Sequence, residues 1–206
     1  MKLRTSFIIT LSFVVLFAFV PQKDKKTIIF FGDSLTAGMG LSKEQAFPFL
    51  VQELLTKKGN NVEVINAGLS GETTAGGFSR VDWILRKPID IFVLELGAND
   101  ALRGLPLDQT KQNLQGIIDK VKAKYPNATI IVAGMQAPPN LGTQYINTFK
   151  EIFPSIAHEN NLVLIPFILE NVAGHTELNL PDGIHPNVDG HKIVANNIVK
   201  YFENLL

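Results

Sequence analysis

Three side chains of this sequence could together carry out acyl transfer, although they lie near opposite ends of the chain. Ser34 lies two residues after the apolar run TIIFFG, in the stretch GDSLTAG, and Asp182 precedes His185 by three residues in DGIHPN. A serine hydroxyl is a poor nucleophile until a base takes its proton, and neutral imidazole suits that task near neutral pH. One turn of chain can bring the Asp182 carboxylate to Nδ1 of His185, which leaves Nε2 to face Ser34. We therefore expect Ser34 as nucleophile, His185 as base and Asp182 as the group that orients the base.

The other histidines are weaker candidates for the base. His158 and His191 lie within helical patterns, and His175 lies in a polar loop whose nearest carboxylate is Glu177. Each motif also has a simpler interpretation, since Ser34 could merely cap a helix and DGIHP could be a turn. These alternatives stay open for each motif alone, whereas the motifs together supply a full set of groups for acyl transfer.

Acyl transfer through a tetrahedral intermediate also needs hydrogen-bond donors for the developing oxyanion. The donors that we expect are Ser34 N–H, Gly68 N–H and the Asn99 side-chain amide, because each lies just at or after the end of a predicted strand. They can converge only if these three strands are neighbours in one sheet. GLSG at 68–71 and GAND at 97–100 could instead be ordinary tight turns.

Other chemistries match the sequence less well. GMG at 38–40 begins a dinucleotide-binding pattern, but Lys43 stands where the third Gly is needed, and no Walker lysine motif is present. The nucleophile-elbow pattern of α/β-hydrolases would need Gly in place of Thr36. Asp182 and His185 could ligate a metal, yet no third ligand lies at a recognisable spacing. We therefore expect neither a metal nor another cofactor.

Alternating strands and helices must position these groups. Five short runs rich in β-branched and aromatic residues predict strands at 27–32, 62–68, 91–97, 129–135 and 162–167. Segments with helical spacing predict helices at 47–58, 78–87, 107–125, 143–160 and 190–206. Pro154 should kink or divide the fourth helix. The alternation predicts an α/β protein with one domain over 27–206, in which helices cover both faces of a five-stranded parallel sheet.

Composition excludes several classes of protein. Lys and Arg balance Asp and Glu at 19 each, so no overall charge indicates a nucleic-acid partner. The absence of cysteine excludes a disulfide framework, a thiolate zinc site and a cysteine nucleophile. Lys2 and Arg4, the apolar run 7–20 and the polar QKDKK after it are typical of a secretory signal. We expect residues 1–20 to direct export to the periplasm or the exterior, with an uncleaved membrane anchor as the alternative.

Four sequence blocks resemble the SGNH, or GDSL, hydrolases. They are GDSLTAG at 32–38, NAGLSGET at 66–73, ELGANDALRG at 95–104 and DGIHPN at 182–187. The sequence is most similar to the branch that holds acyl-CoA thioesterases, lysophospholipases and bacterial arylesterases. This resemblance implies a flavodoxin-like three-layer α/β/α fold, a serine esterase or thioesterase that needs no cofactor, and the catalytic and oxyanion roles given above. The implied substrates are small-molecule or lipid esters with an acyl or aryl group.

We expect the substrate pocket to include Asp33 and Leu35 beside the nucleophile, and Gln136, Ala137 and Pro138 in the loop after the fourth strand. Relatives in the similar branch often carry Arg-Leu where this chain has Gln136-Ala137, so the sequence does not predict the preferred acyl length. A carbohydrate deacetylase on the same fold and a non-catalytic ligand-binding module remain alternatives. We expect no nucleic-acid partner; transient contact with a membrane surface stays open, and the sequence makes no prediction of oligomeric state.

Overall fold

The computed structural model describes residues 24–206, whose centre is a five-stranded sheet in which all neighbouring strands are parallel. The strands are β1 (Lys26–Gly32), β2 (Val62–Gly68), β3 (Ile91–Glu95), β4 (Thr129–Ala133) and β5 (Val163–Ile165). Their order across the sheet is β2-β1-β3-β4-β5, which is the flavodoxin-like order. The predicted α/β fold with five parallel strands is therefore confirmed.

Seven α-helices lie within residues 24–206: α1 (Ser34–Ala37), α2 (Phe47–Lys57), α3 (Thr74–Ile84), α4 (Ala98–Leu102), α5 (Leu107–Lys124), α6 (Thr143–Asn160) and α7 (Val188–Val199). Three of them, α2, α5 and α6, begin at the predicted residues. Of the two expected effects of Pro154, a kink or a division, the division does not occur: α6 continues through Pro154. The last predicted helix is shorter than expected, since α7 ends at Val199 and one 3-10 turn, Lys200–Phe202, follows it.

Helix α3 begins four residues earlier than its sequence pattern predicts. The Thr73 side chain accepts a hydrogen bond from Gly76 N–H at 3.3 Å, which caps the helix. The Asp100 carboxylate, which is distant in sequence, accepts the Thr74 N–H at 2.8 Å. Gly76 and Gly77 disfavour a helix locally, so contacts from outside the segment stabilise its first turn.

The two faces of the sheet are covered by different helices. Successive residues of a strand point to opposite faces, and β1 carries two large aromatic residues in succession. The Phe30 ring lies 5.5 Å from the Phe47 ring of α2, whereas the Phe31 ring lies 4.3 Å below the Arg80 guanidinium of α3. All of β1 from Ile28 onwards is buried. The core therefore extends on both sides of the sheet, as a three-layer arrangement requires.

The central position of β1 determines where the candidate functional residues meet. Its last residue, Gly32, pairs in register with Gly68 at the end of β2 and with Glu95 at the end of β3. The loops that follow these three strands therefore leave the sheet side by side. This neighbour relation is the one that convergence of the expected oxyanion donors requires.

The predicted export segment, residues 1–20, lies outside the described residues. Within residues 24–206, no helix combines the length and the apolar character that crossing a membrane would need. Strand β1 begins at Lys26, one residue before the predicted start of the folded domain.

Candidate active site

Ser34, His185 and Asp182 form a continuous chain of hydrogen bonds. Ser34 Oγ lies 2.8 Å from His185 Nε2, and His185 Nδ1 lies 2.8 Å from Asp182 Oδ2. Because a carboxylate only accepts hydrogen bonds, Nδ1 carries the proton and Nε2 is free to accept the Ser34 hydroxyl. The structure thus brings together the three side chains that the sequence analysis groups as nucleophile, base and orienting acid.

A tight turn holds Asp182 and His185 in this relation. Asp182 Oδ1 accepts the backbone N–H groups of Ile184 and His185 at 2.9 and 3.0 Å. Gly183, which directly follows Asp182, has a φ of 69°, a left-handed conformation that glycine adopts without strain. The backbone bonds from His185 and Ile184, followed by the bond from the His185 ring, lower the pKa of Asp182 to about 2. The carboxylate therefore stays ionised and keeps the imidazole oriented over the whole neutral range.

Ser34 is the first residue of α1, and only Asp33 separates it from the end of strand β1. The cap of this helix is Asp33, whose Oδ1 accepts the Leu35 N–H at 3.0 Å. The alternative in which Ser34 itself serves only as the helix cap is therefore wrong. The hydroxyl is instead available to His185, although Ser34 is only 8% exposed and is reached through a cavity.

A second buried carboxyl group lies beneath the nucleophile. Glu95, the last residue of β3, is fully buried, and its Oε2 accepts the Thr36 hydroxyl at 2.8 Å and the Asp33 N–H at 3.3 Å. Its Oε1 has no hydrogen-bond partner among residues 24–206. Burial, with the nearby Asp33 charge, raises the pKa of Glu95 well above its usual value, and burial raises the pKa of Asp33 to about 6. Glu95 is therefore the neutral member of the pair when Asp33 ionises.

Two of the three expected oxyanion donors have suitable surroundings. Ser34 N–H has no acceptor among the described residues, and it lies at the N-terminus of α1. The Asn99 side chain faces the same cavity from α4, and its Nδ2 donates one hydrogen bond to Asp33 Oδ2 at 3.1 Å. A second N–H of that amide remains for a ligand, because an amide nitrogen carries two.

The structure contradicts the expected role of Gly68. Its N–H donates to Asn66 Oδ1 at 2.9 Å, and Gly68 does not line the cavity that holds Ser34. A Cβ at this position would lie 2.2 Å from Ala37 N, so the glycine permits β2 to pack closely against α1.

Gly71, three residues later, offers what Gly68 lacks: an unbonded N–H at the cavity. It lines the cavity, and its N–H has no acceptor among residues 24–206. The NAGLSGET block holds both glycines, so the expected loop lines the cavity, but through Gly71 rather than Gly68. Asn66 supplies the signal that could have excluded Gly68, because an Asn two residues before a backbone N–H is typical of an Asx turn.

Helix α4 holds the loop that carries Gly71. Asp100 is buried, and its Oδ1 accepts the hydroxyls of Thr74 and Thr110 at 2.5 and 3.2 Å, in addition to the Thr74 N–H at Oδ2. Arg103 Nη2 donates to the Gly71 carbonyl at 2.8 Å. Arg103 lies in the ELGANDALRG block, but no sequence pattern predicted this contact. These bonds connect the segment that carries Asn99 to the loop that carries Gly71.

The cavity above Ser34 has a volume of about 790 Å³ and a mainly apolar lining. All five residues expected in the substrate pocket line it: Asp33, Leu35, Gln136, Ala137 and Pro138. Met135, Phe167 and Leu169 add further apolar surface to the wall. At the mouth, Met39, Leu102 and Ile184 are each nearly half exposed.

The other three histidines do not contact Ser34. His191 of α7 is buried; its Nδ1 accepts the Phe47 N–H at 3.0 Å, and its ring stacks on the Phe47 ring. His175 is exposed and pairs with Glu177, and His158 lies on the exposed side of α6. Within residues 24–206, no group of three His, Asp or Glu side chains is arranged to hold a metal ion.

The sequence and the structure are similar to known ester hydrolases. Residues 30–193 match the model of the GDSL-like lipase/acylhydrolase family. The chain is 36% identical to the esterase TesA of Pseudomonas aeruginosa over 90% of this chain and 92% of that protein. It is also 36% identical to thioesterase 1/protease 1/lysophospholipase L1 of Escherichia coli K12, over 87% and 85% of the two chains. The crystal structure of AlinE4, an SGNH-hydrolase family esterase, matches with a TM-score of 0.74 and 38% identity, over 88% of this chain and 94% of that one.

Proposed function

This chain belongs to the GDSL-like lipase/acylhydrolase family and is a serine ester hydrolase, and on that premise we propose which residues carry the reaction. Ser34 is the nucleophile, His185 is the general base and then the general acid, and Asp182 orients His185. The observation that carries the proposal is the 2.8 Å contact between Ser34 Oγ and His185 Nε2 at the base of an apolar cavity. We further propose that residues 27–206 form the hydrolase domain.

The reaction follows from the two ends of the imidazole ring. His185 Nε2 takes the Ser34 hydroxyl proton as Oγ bonds to the carbonyl carbon of the ester or thioester, and the carbonyl electron pair moves onto oxygen. When the tetrahedral intermediate collapses, the bond to the alcohol or thiol breaks, and Nε2 gives its proton to that leaving group. A water molecule then attacks the acyl-enzyme by the same sequence, which releases the acid and restores the Ser34 hydroxyl.

Three N–H donors serve the oxyanion of both tetrahedral intermediates. They are Ser34 N–H, Gly71 N–H and the Asn99 side-chain amide, each of which reaches the cavity with an uncommitted hydrogen. The preorganised donors stabilise charge that exists only in the intermediate and the flanking transition states, so they act mainly on turnover.

The mainly apolar lining favours an acyl or aryl group over a sugar as the part of the substrate that the cavity encloses. A volume of about 790 Å³ exceeds what an acetyl group would fill. This supports a lipid-type or aryl ester over the deacetylase alternative. A series of p-nitrophenyl esters from acetyl to dodecanoyl, with one acyl-CoA and one lysophospholipid, tests the preference. We expect kcat/KM to rise beyond acetyl, and highest activity on acetyl esters would favour the deacetylase.

The exposed apolar residues at the cavity mouth support contact with the surface of a lipid aggregate. Met39, in the turn after α1, and Leu102, the last residue of α4, are each 45% exposed and line the cavity. Contact with an aggregate would cover these side chains and bring the acyl chain directly to the cavity. The Met39→Ser and Leu102→Ser pair should lower activity on micellar lysophospholipid more than on a monomeric short-chain ester. Equal losses on both substrates would contradict surface contact.

Export is proposed from the N-terminal sequence alone, on the charged start and apolar run of residues 1–20. Expression of the full chain in a bacterium, followed by cell fractionation and N-terminal sequencing, tests it. Activity in the periplasm with a shortened N-terminus supports a cleaved signal, whereas an intact chain in the membrane fraction supports the anchor. Activity confined to the cytoplasm would contradict export.

The catalytic assignment is tested by removing each proposed group. We expect Ser34→Ala and His185→Ala to lower kcat by about 10³-fold or more, because each removes a member of a unit that acts together. A fluorophosphonate should label the wild-type protein at Ser34 and leave Ser34→Ala unlabelled. Ser79→Ala, on the exposed side of α3, is the matched control and should keep normal activity. Near-normal turnover of p-nitrophenyl acetate by purified Ser34→Ala protein would refute the assignment.

A further inference from the structure

We propose that Asp33 is a positioning residue that sets the orientation of the Asn99 side-chain amide, so that N–H rather than carbonyl oxygen is presented to the reacting ester. The inference rests on the proposed role of Asn99 as an oxyanion donor. It assigns Asp33 a part in the reaction that differs from contact with the substrate.

An asparagine amide has two ends of similar shape and opposite hydrogen-bonding character. Asn99 Nδ2 lies 3.1 Å from Asp33 Oδ2, which as a carboxylate oxygen can only accept. A half turn of the amide would bring Asn99 Oδ1 against that oxygen and place two acceptors face to face. The turned amide would also present its carbonyl oxygen, a repulsive group, to a developing oxyanion. The Asp33 carboxylate therefore favours the one orientation that is useful for catalysis.

Asp33 is itself held on several sides. Its Oδ1 accepts the Leu35 N–H at 3.0 Å, and its own N–H donates to Glu95 Oε2 at 3.3 Å. The residue has no solvent-exposed surface, so the carboxylate has little freedom to rotate and little surface for substrate. One of its oxygens is thus bonded to the helix that begins with Ser34, and the other is bonded to Asn99. The same carboxylate fixes the nucleophile and the amide relative to one another.

A simple capping role is the competing explanation for Asp33. Asparagine and serine cap helices about as well as aspartate does. If Asp33 only caps α1, Asp33→Asn and Asp33→Ser should both keep near-normal turnover. If it orients Asn99, both should be impaired, because serine is too short to reach Asn99 and asparagine offers it the wrong group.

The Asp33→Asn variant gives the sharpest test. It keeps Oδ1 for the Leu35 N–H and puts an NH₂ group where Oδ2 faces Asn99, so the Asn99 amide turns round to accept. We expect kcat to fall about 10²–10³-fold, as for loss of one oxyanion donor, while KM changes little. Asp119→Asn, on the exposed face of α5, is the matched control and should keep wild-type kinetics.

A double-mutant cycle separates this role from a general structural effect. Asn99→Ala alone should lower kcat about 10²–10³-fold. Added to Asp33→Asn, it should cause no further loss, because the turned amide no longer donates to the oxyanion. Thermal melting and circular dichroism of each variant establish that the fold is intact. If Asp33→Asn does not fold, Asp33→Ser answers the same question. It should lower kcat, but by no more than Asn99→Ala does.

The outcomes distinguish failure of this inference from failure of the proposed function. Normal kcat in Asn99→Ala would refute the donor role of Asn99 and the inference with it. An impaired Asn99→Ala beside normal Asp33→Asn and Asp33→Ser would overturn the inference and leave the proposed function standing. Losses that multiply in the double variant would also overturn it, because the two residues would then act independently.

Discussion

Replacement of His191 by glutamine should make the protein less sensitive to acid. The neutral His191 ring is buried, and its Nδ1 accepts the N–H of Phe47, the first residue of α2. Burial, followed by the charge of His185, lowers the pKa of His191 from 6.5 to about 4. Protonation of Nδ1 would remove the acceptor and bury a charge. Glutamine can keep an acceptor at Oε1 and does not titrate.

The size and sign of the effect follow from proton binding in the two states. Below pH 6.5 the unfolded chain binds a proton at His191 that the folded protein does not take up until pH approaches 4. The free energy of unfolding therefore decreases as pH falls through this window, and above it His191 has no such effect. At about 1.4 kcal/mol per pH unit, the loss is roughly 3 kcal/mol at pH 4 and below.

Urea unfolding of the wild-type and His191→Gln proteins, near neutral pH and again about two pH units lower, measures this loss. The wild-type protein should lose roughly 2 kcal/mol more than the variant between the two conditions. Burial raises the pKa values of Asp33 and Glu95, so these two groups increase the free energy of unfolding as pH falls. Their contribution is the same in wild type and His191→Gln and cancels when the two proteins are compared. His158→Gln, on the exposed side of α6, is the control. An identical pH dependence in wild type and His191→Gln would refute the reasoning.

Three further predictions concern the active site. Glu95→Gln should be tolerated, because glutamine resembles the neutral acid. Glu95→Ala leaves the Thr36 hydroxyl and the Asp33 N–H unpaired, so its free energy of unfolding in urea should fall by about 1–3 kcal/mol for each group. Equal stability of the two variants would contradict this. In a crystal structure of the Ser34 phosphonate adduct, the phosphoryl oxygen should lie about 2.7–3.1 Å from Gly71 N, and contact with Gly68 N instead would restore the original assignment. Asp182→Asn should lower kcat about 10²–10⁴-fold with the Ser34–His185 contact kept, because the ring loses the carboxylate that fixes its tautomer; unchanged kcat would exclude that role.

The sequence predicts the fold well where local pattern and tertiary contacts agree. Strand β2 has the predicted bounds, 62–68, and α5 begins at the predicted Leu107. The start of α3 was not predictable in this way, because its first N–H is accepted by Asp100, which lies 26 residues away. The local pattern also misleads at Pro154, where α6 continues although proline removes one backbone hydrogen bond from a helix interior.

The candidate site shows the same division between local and distant contacts. Asp182 and His185 are recognisable together because three residues of chain are enough to bring their side chains into contact. The choice between Gly68 and Gly71 depends on which N–H is already bonded, and the hydrogen bond from Asn66 decides it. The bond between Asp33 and Asn99 spans 66 residues, and no spacing in the sequence indicates it.

The separation of 151 positions between Ser34 and His185 has a consequence for biosynthesis. The ribosome makes Ser34 well before His185, so on the proposed mechanism a nascent chain cannot activate its serine until His185 has emerged. If His185 is the base, polypeptides that end before residue 185 should not hydrolyse esters, even where the sheet has already assembled. The onset of ester cleavage during refolding should therefore report when the segments that carry Ser34 and His185 come into contact.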